Sequence, residues 1–206
     1  METIKTYGRL EPMKYTIKDV EILSEKLLSD DYFKLIQYQL KFKTFSGQWS
    51  EPVTRSLMKT SGAVGVLIHD PALEKVLLVE QFRIGAMEDQ KSPWLLEIVA
   101  GRIDYDASPE AIAMAEAREE AGVEITNIES LYAYWVSPGC ISEYTEVFLA
   151  EADLSQAGGV HGSAHEHEDI RVQVVTYDEL KELLARGELK SSISVIAAQA
   201  FFLRQK

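Results

Sequence analysis

Three carboxylates, Glu116, Glu119 and Glu120, stand at i, i+3 and i+4, so on a helix they share one face of consecutive turns. Carboxylates so placed repel one another, and solvent, a neighbouring Lys or Arg, or a divalent cation relieves the repulsion. Magnesium suits such a face because it takes hard oxygen ligands, keeps waters and is completed by substrate phosphates. The plainer reading of the triad is an exposed acidic helix with Arg118 as partial counter-charge. A formal charge of −12 with no Lys/Arg cluster argues against a nucleic-acid binder. An acidic protein still handles a phosphorylated small molecule when bound cations and a few placed arginines reverse the local field.

The elements that must position this face can be read on either side of it. Ser108 is an N-cap with Pro109 at the first helical position, where its missing N–H costs nothing, and Gly122 is available to end the helix after Ala121. Upstream, Val20 to about Phe45 is extended, with Lys34 to Phe42 alternating apolar and polar and Ser46-Gly47-Gln48 supplying a turn, which predicts a small antiparallel unit. Ala63–Ile68 and Val76–Val79 are apolar runs joined through Asp70-Pro71. Trp94–Val99, Leu131–Val136, Glu146–Ala150 and Ile170–Val175 read as further strands. Thr176-Tyr177-Asp178-Glu179 is a capping box opening a helix that stops near Gly187, and Ile193–Leu203 makes a last apolar helix. Many strands with few, non-alternating helices give an α+β fold with a mixed sheet.

The length of 206 residues and 46% hydrophobic content fit one domain, or one domain with a small companion. No window approaches the ~20 apolar residues of a membrane span, and the first residues lack the layout of a signal peptide, so the expected compartment is the cytoplasm. Cys140 is the single cysteine, which leaves no intrachain disulfide and no Cys-based zinc site. His161, His165 and His167 lie in one polar segment. Imidazoles can hold a transition metal, but the neighbouring glutamates fit a hard cation better and a solvated loop is the expected state.

The segment Gly101 to Val123 resembles the Nudix box: Gly, five residues, Glu, seven residues, Arg-Glu, an aliphatic, any residue, Glu-Glu, any residue, Gly, an aliphatic. Its Gly-to-Gly spacing and Glu116, Glu119 and Glu120 match; Ala107 and Ala115 stand where the pattern has Glu and Arg. Losing an acid and a base together can remove a supporting ion pair while leaving the metal face intact. The resemblance to bacterial ADP-ribose pyrophosphatases runs from about Asp19 to the C-terminus and includes Val79-Glu80-Gln81-Phe82-Arg83, Trp94 to Gly101, Ser137-Pro138-Gly139 and Glu168 to Val172.

That resemblance implies an α/β/α sandwich around a mixed sheet (59–206) behind a small N-terminal antiparallel β domain (1–58), the latter exchanged in a homodimer so that each site uses both subunits. It implies Mg²⁺, with Mn²⁺ able to substitute, held by the Ala100 carbonyl and the Glu116 and Glu120 carboxylates, with Glu119 close by in the catalytic set. Glu166 matches the loop glutamate that acts as base, and Glu168 a neighbour supporting metal or substrate. Arg83 matches a phosphate-contacting arginine, and Arg102 lies beside the metal carbonyl. Arg55, with Tyr32 or Phe33, matches the adenine end, where the family's Arg-Glu pair reads Arg55-Ser56 and a nearby Arg is Thr60. Ser137, Gly139 and Glu143 fall where the family contacts the terminal ribose. The implied reaction is hydrolysis of ADP-ribose to AMP and ribose 5-phosphate. The alternatives are another nucleoside diphosphate sugar such as GDP-mannose, or a degenerate member kept as a nucleotide-sugar binding module. No nucleic acid or membrane is an expected partner.

Overall fold

The computed structural model describes residues 12–103, 106–165 and 167–204. The chain divides into two compact units, the first ending at Lys59 and the second beginning at Thr60.

In the first unit a capping box at Thr16 opens a single 3-10 turn, Ile17–Asp19, which leads into β1 (Val20–Asp30), β2 (Lys34–Phe42) and β3 (Val53–Lys59). They form an antiparallel sheet in the order β1-β2-β3. The extended pattern up to Phe42 anticipates the first two strands. The third has only Val53, Leu57 and Met58 as apolar residues, too few for its alternation to stand out. Every residue of β1 is exposed, including Ile22, Leu23, Leu27 and Leu28.

The second unit is built on β4 (Ala63–Asp70), β5 (Lys75–Phe82), β6 (Trp94–Glu97), β7 (Val99–Arg102), β8 (Thr126–Trp135), β9 (Tyr144–Glu151), β10 (Gly159–His161) and β11 (Ile170–Thr176). The sheet runs β10-β11-β5-β4-β9-β8. It is mixed because β4 pairs parallel with β9 while its other pairings are antiparallel. β4 and β5 pair only near their connecting turn, Ile68–Asp70 against Lys75–Leu77. Beyond that they part, and the wedge is filled by β6 along β5 and β7 along β4. The apolar run Trp94–Val99 is therefore two strands broken at Ile98. The Ile98 N–H, out of the ladder at the break, donates to Ser194 Oγ at 3.0 Å, which satisfies a backbone donor that burial would otherwise penalise.

Helix α1 (Pro109–Ala121) packs on one face, and α2 (Tyr177–Ala185) and α3 (Ser192–Arg204) on the other. Val64, Val66, Val79 and Phe148 turn toward α1, while Leu67, Leu78 and Val147 meet Leu180, Ala197 and Phe201. Each large side chain buried this way contributes about 1.5–3 kcal/mol, and the alternation along β4 divides the two cores. The result is the α/β/α sandwich, an α+β fold with a mixed sheet. Among the described residues no helix is long and apolar enough to cross a membrane.

Candidate active site

The helix that carries the glutamates starts and stops where its caps dictate. Ser108 Oγ accepts the Ala111 N–H at 3.2 Å, Pro109 occupies the first turn, and Gly122 ends the helix in the left-handed region at φ 66°. A side chain at Gly122 is excluded twice over, since a Cβ there would stand 2.6 Å from His161 Cε1.

Residues four apart form rows along a helix. Ala113, Ala117 and Ala121 make a buried row of small side chains that lets α1 lie close to the sheet. The row Ile112, Glu116, Glu120 lies beside it and points two carboxylates at β7. Gly101 makes room for the first: a Cβ there would be 1.9 Å from Glu116 Oε1. Glu120 is 2% exposed; its Oε2 accepts the Ala100 N–H at 3.0 Å and its Oε1 the Gln81 side-chain amide at 3.3 Å. Glu119, one step round the helix, is exposed, and its backbone carbonyl accepts the Gly162 N–H at 3.2 Å. The structure thus divides the triad, with two carboxylates turned to the strand and that of Glu119 exposed.

Burial pushes the Glu120 carboxyl up to about 8; Glu116 adds to the rise, and Ala100, Arg83 and Gln81 only partly oppose it. A carboxylate in this position calls for a positive charge, which a divalent cation supplies. Among the described residues no three His, Cys, Asp or Glu side chains gather to hold a metal by themselves. Two carboxylates against a strand backbone suit the donor habit of magnesium, which takes one or two carboxylates and fills its shell with water and phosphate. The chain's residues therefore fit the cation.

One end of the sheet collects the rest of the second unit's candidates. Arg83 follows β5 on the same face as Gln81, and its Nε donates to Glu97 Oε2 at 2.6 Å. Arg102 Nε and Nη2 both reach Ser61 Oγ at 3.3 Å. Ala63 is paired with Arg102 on one side and Thr145 on the other, so the β8–β9 turn with Ser137, Gly139 and Glu143 emerges at that end. In this turn the Ser137 carbonyl accepts the Cys140 and Ile141 N–H groups, and Glu143 Oε1 accepts the Thr145 hydroxyl at 3.5 Å. Glu168 folds back on Ser163, whose N–H its Oε2 accepts at 3.2 Å. Glu166 lies outside the described residues. Of the histidines grouped with it, His161 belongs to β10 and its Nε2 bonds the Gly158 carbonyl at 2.8 Å, whereas His165 and His167 are exposed.

In the first unit Tyr32 and Phe33 form the β1–β2 turn with rings edge to face, 4.6 Å between centroids. Arg55 is on β3 opposite Tyr38, its Nη1 donating to the Thr54 carbonyl at 2.8 Å. Four residues of strand, about 13 Å, separate Arg55 from Lys59, which pairs beside that turn at Lys34.

A NUDIX domain model matches residues 59–195. The chain belongs to the NUDIX family. Among NUDIX relatives it is 40% identical to the ADP-ribose pyrophosphatase of Haemophilus influenzae over 192 residues, 92% of this chain and 88% of that one. It is 37% identical to the ADP-ribose pyrophosphatase of Escherichia coli K12, over 91% and 90% of the two chains. The GDP-mannose pyrophosphatase of Pectobacterium atrosepticum is 32% identical, over 90% and 95%. The solved structure of an ADP compounds hydrolase superposes with a TM-score of 0.68 at 18% identity, covering 93% of this chain and 96% of that one, a likeness of fold alone.

Two residues of this NUDIX site escape sequence reasoning. Gln81 and Glu97 are buried polar residues inside the runs Val79–Arg83 and Trp94–Gly101 that carry the resemblance, but nothing in those runs says what they touch. Their partners, Glu120 and Arg83, are remote in sequence, so the pairing becomes visible only once the strands are in register.

Proposed function

We propose that this chain hydrolyses the pyrophosphate of ADP-ribose to AMP and ribose 5-phosphate with Mg²⁺, Mn²⁺ being able to substitute, as a cytoplasmic homodimer. The convergence of Glu116, Glu120, the Ala100–Gly101 backbone and Arg83 at one sheet end carries the reaction type. The choice of ADP-ribose is supported by the higher identity to ADP-ribose pyrophosphatases than to the GDP-mannose enzyme.

Ala100 through its carbonyl, Glu116 and Glu120 would hold the cation. A bound divalent ion supplies charge stabilisation on the phosphoryl oxygens and a water of lowered pKa. Arg83 offers a guanidinium fork to the pyrophosphate, and Arg102 adds positive charge beside it. Glu166 takes the proton of the attacking water, Glu168 supports metal or substrate, and Glu119 stands close to the metal carboxylates in the catalytic set. A base on a loop completes the site only when substrate is present and bulk water is excluded. Ser137, Gly139 and Glu143 meet the terminal ribose. Tyr32 or Phe33 stacks on the adenine and Arg55 meets its end of the substrate, contributed across the dimer. The exposed Ile22, Leu23, Leu27 and Leu28 of β1 support a protein partner for the first unit, since apolar surface seeks cover. Light scattering should give twice the chain mass; a monomer at micromolar concentration would remove the shared site.

Hydrolysis of a second nucleoside diphosphate sugar, GDP-mannose, is favoured by one observation: Ser56 and Thr60 stand where the ADP-ribose enzymes carry base-end charges. Product identification with Mg²⁺ over a panel of nucleotide sugars decides between them. AMP and ribose 5-phosphate should appear fastest from ADP-ribose, and equal or better turnover of GDP-mannose overturns the choice. No Mg²⁺-dependent turnover of any of them would make the chain a binding module.

A further inference from the structure

Glu97 has no task in the reaction as described above. It lies on β6 opposite Val79, on the face that α1 covers, and is 5% exposed. A carboxylate so buried persists only when charge and hydrogen bonding compensate its lost water. Its ionic partner is Arg83, through Nε at 2.6 Å. An ion pair that served stability alone gains most from two parallel bonds. Here Nε alone is engaged, and among the described residues no other hydrogen bond holds the guanidinium. Nη1 and Nη2 are left on a side chain 39% exposed, next along the strand face from Gln81, which holds Glu120. A long, flexible cation is thus anchored at its neck beside the metal carboxylates, with its terminal fork uncommitted.

We propose that Glu97 is a positioning residue for Arg83. By accepting from Nε it fixes the plane of the guanidinium and keeps both terminal nitrogens available to the pyrophosphate. Its negative charge also offsets that of Arg83, which would otherwise repel a divalent cation at Glu116 and Glu120. The inference rests on the reading that Arg83 contacts the pyrophosphate.

The test is a double-mutant cycle on the full chain, with steady-state hydrolysis of ADP-ribose in Mg²⁺ for the parent, Glu97→Gln, Arg83→Ala and the double variant. Glu97→Gln is isosteric and leaves a half-exposed arginine that water can solvate, so its thermal midpoint should stay near the parent's. Its kcat should fall on the order of tenfold, as loss of alignment does, with KM changing less. In the Arg83→Ala background the same substitution should change kcat by less than about twofold. Glu97→Asp, which keeps the charge, should recover part of the loss, and it replaces Glu97→Gln in the cycle if the amide does not fold. Equal losses in both backgrounds, or an impaired Arg83→Ala beside an unimpaired Glu97→Gln, overturn the positioning role alone. An Arg83→Ala enzyme as active as the parent overturns the phosphate contact and the positioning role together.

Discussion

Asp70 and Glu120 are both buried carboxylates, 7% and 2% exposed, and their surroundings push them in opposite directions. Asp70 closes the turn after β4: its Oδ1 accepts the Ala72 and Leu73 N–H groups and its Oδ2 the Leu154 N–H at 3.0 Å. Led by Leu154, these backbone donors hold its carboxyl below the usual range. Glu120 receives one backbone donor and one amide, with Glu116 close by, and burial holds it up at about 8. The fold supplies what Asp70 needs. It leaves Glu120 short of the positive charge that a divalent cation would bring, so Asp70 serves the turn it closes while Glu120 is the carboxylate proposed to hold the metal.

The largest test of that division is Glu120→Gln. It keeps the shape and removes the charge, and should lower Mg²⁺-dependent kcat by roughly a thousandfold or more, with the magnitude usual for loss of a key electrostatic group; activity near the parent's would break the comparison. Gly101→Ala comes next. Its Cβ would meet the Glu116 carboxylate, and a displaced ligand should cost about a hundredfold, read as kcat/KM over a Mg²⁺ titration, with much of the protein still folded. Asp70→Asn should leave kcat unchanged and lower the unfolding midpoint by several degrees at neutral pH.

The smallest effect carries the sharpest sign. In metal-free protein Glu120 binds its proton more tightly folded than unfolded, so the parent should lose stability relative to Glu120→Gln as pH rises from about 4.5 to about 8. For Asp70 the folded carboxyl is depressed. The stability it adds is present above its unfolded value, and the parent's advantage over Asp70→Asn should fade as pH drops below about 4. Thermal melts over pH in EDTA check both; slopes of the same sign would remove the distinction.

The helical punctuation was readable because it is local. Ser108, Pro109 and Gly122 bound α1 by their own conformational preferences, and Thr176 with Glu179 forms the capping box at the start of α2. The strand break at Ile98 was not readable, since an apolar run gives no sign of where it changes partner. β10 is three residues beside glycines, too short for any period. The face shared by Glu116 and Glu120 follows from spacing, whereas the exposure of Glu119 depends on how the alanine row seats the helix. Gln81 and Glu97 became meaningful only through strand register, a non-local property.

The bond from Ile98 to Ser194 has a consequence for how the enzyme can fail. Ser194 is wholly buried on α3, on the far side of the sheet from the glutamates, and it secures the break immediately before Val99, Ala100 and Gly101. Damage to the C-terminal helix, whether by proteolytic trimming or by heat that frays its packing, would therefore reach the strand proposed to face the metal without touching any residue proposed to perform chemistry. An inactivating lesion can enter this protein from its back.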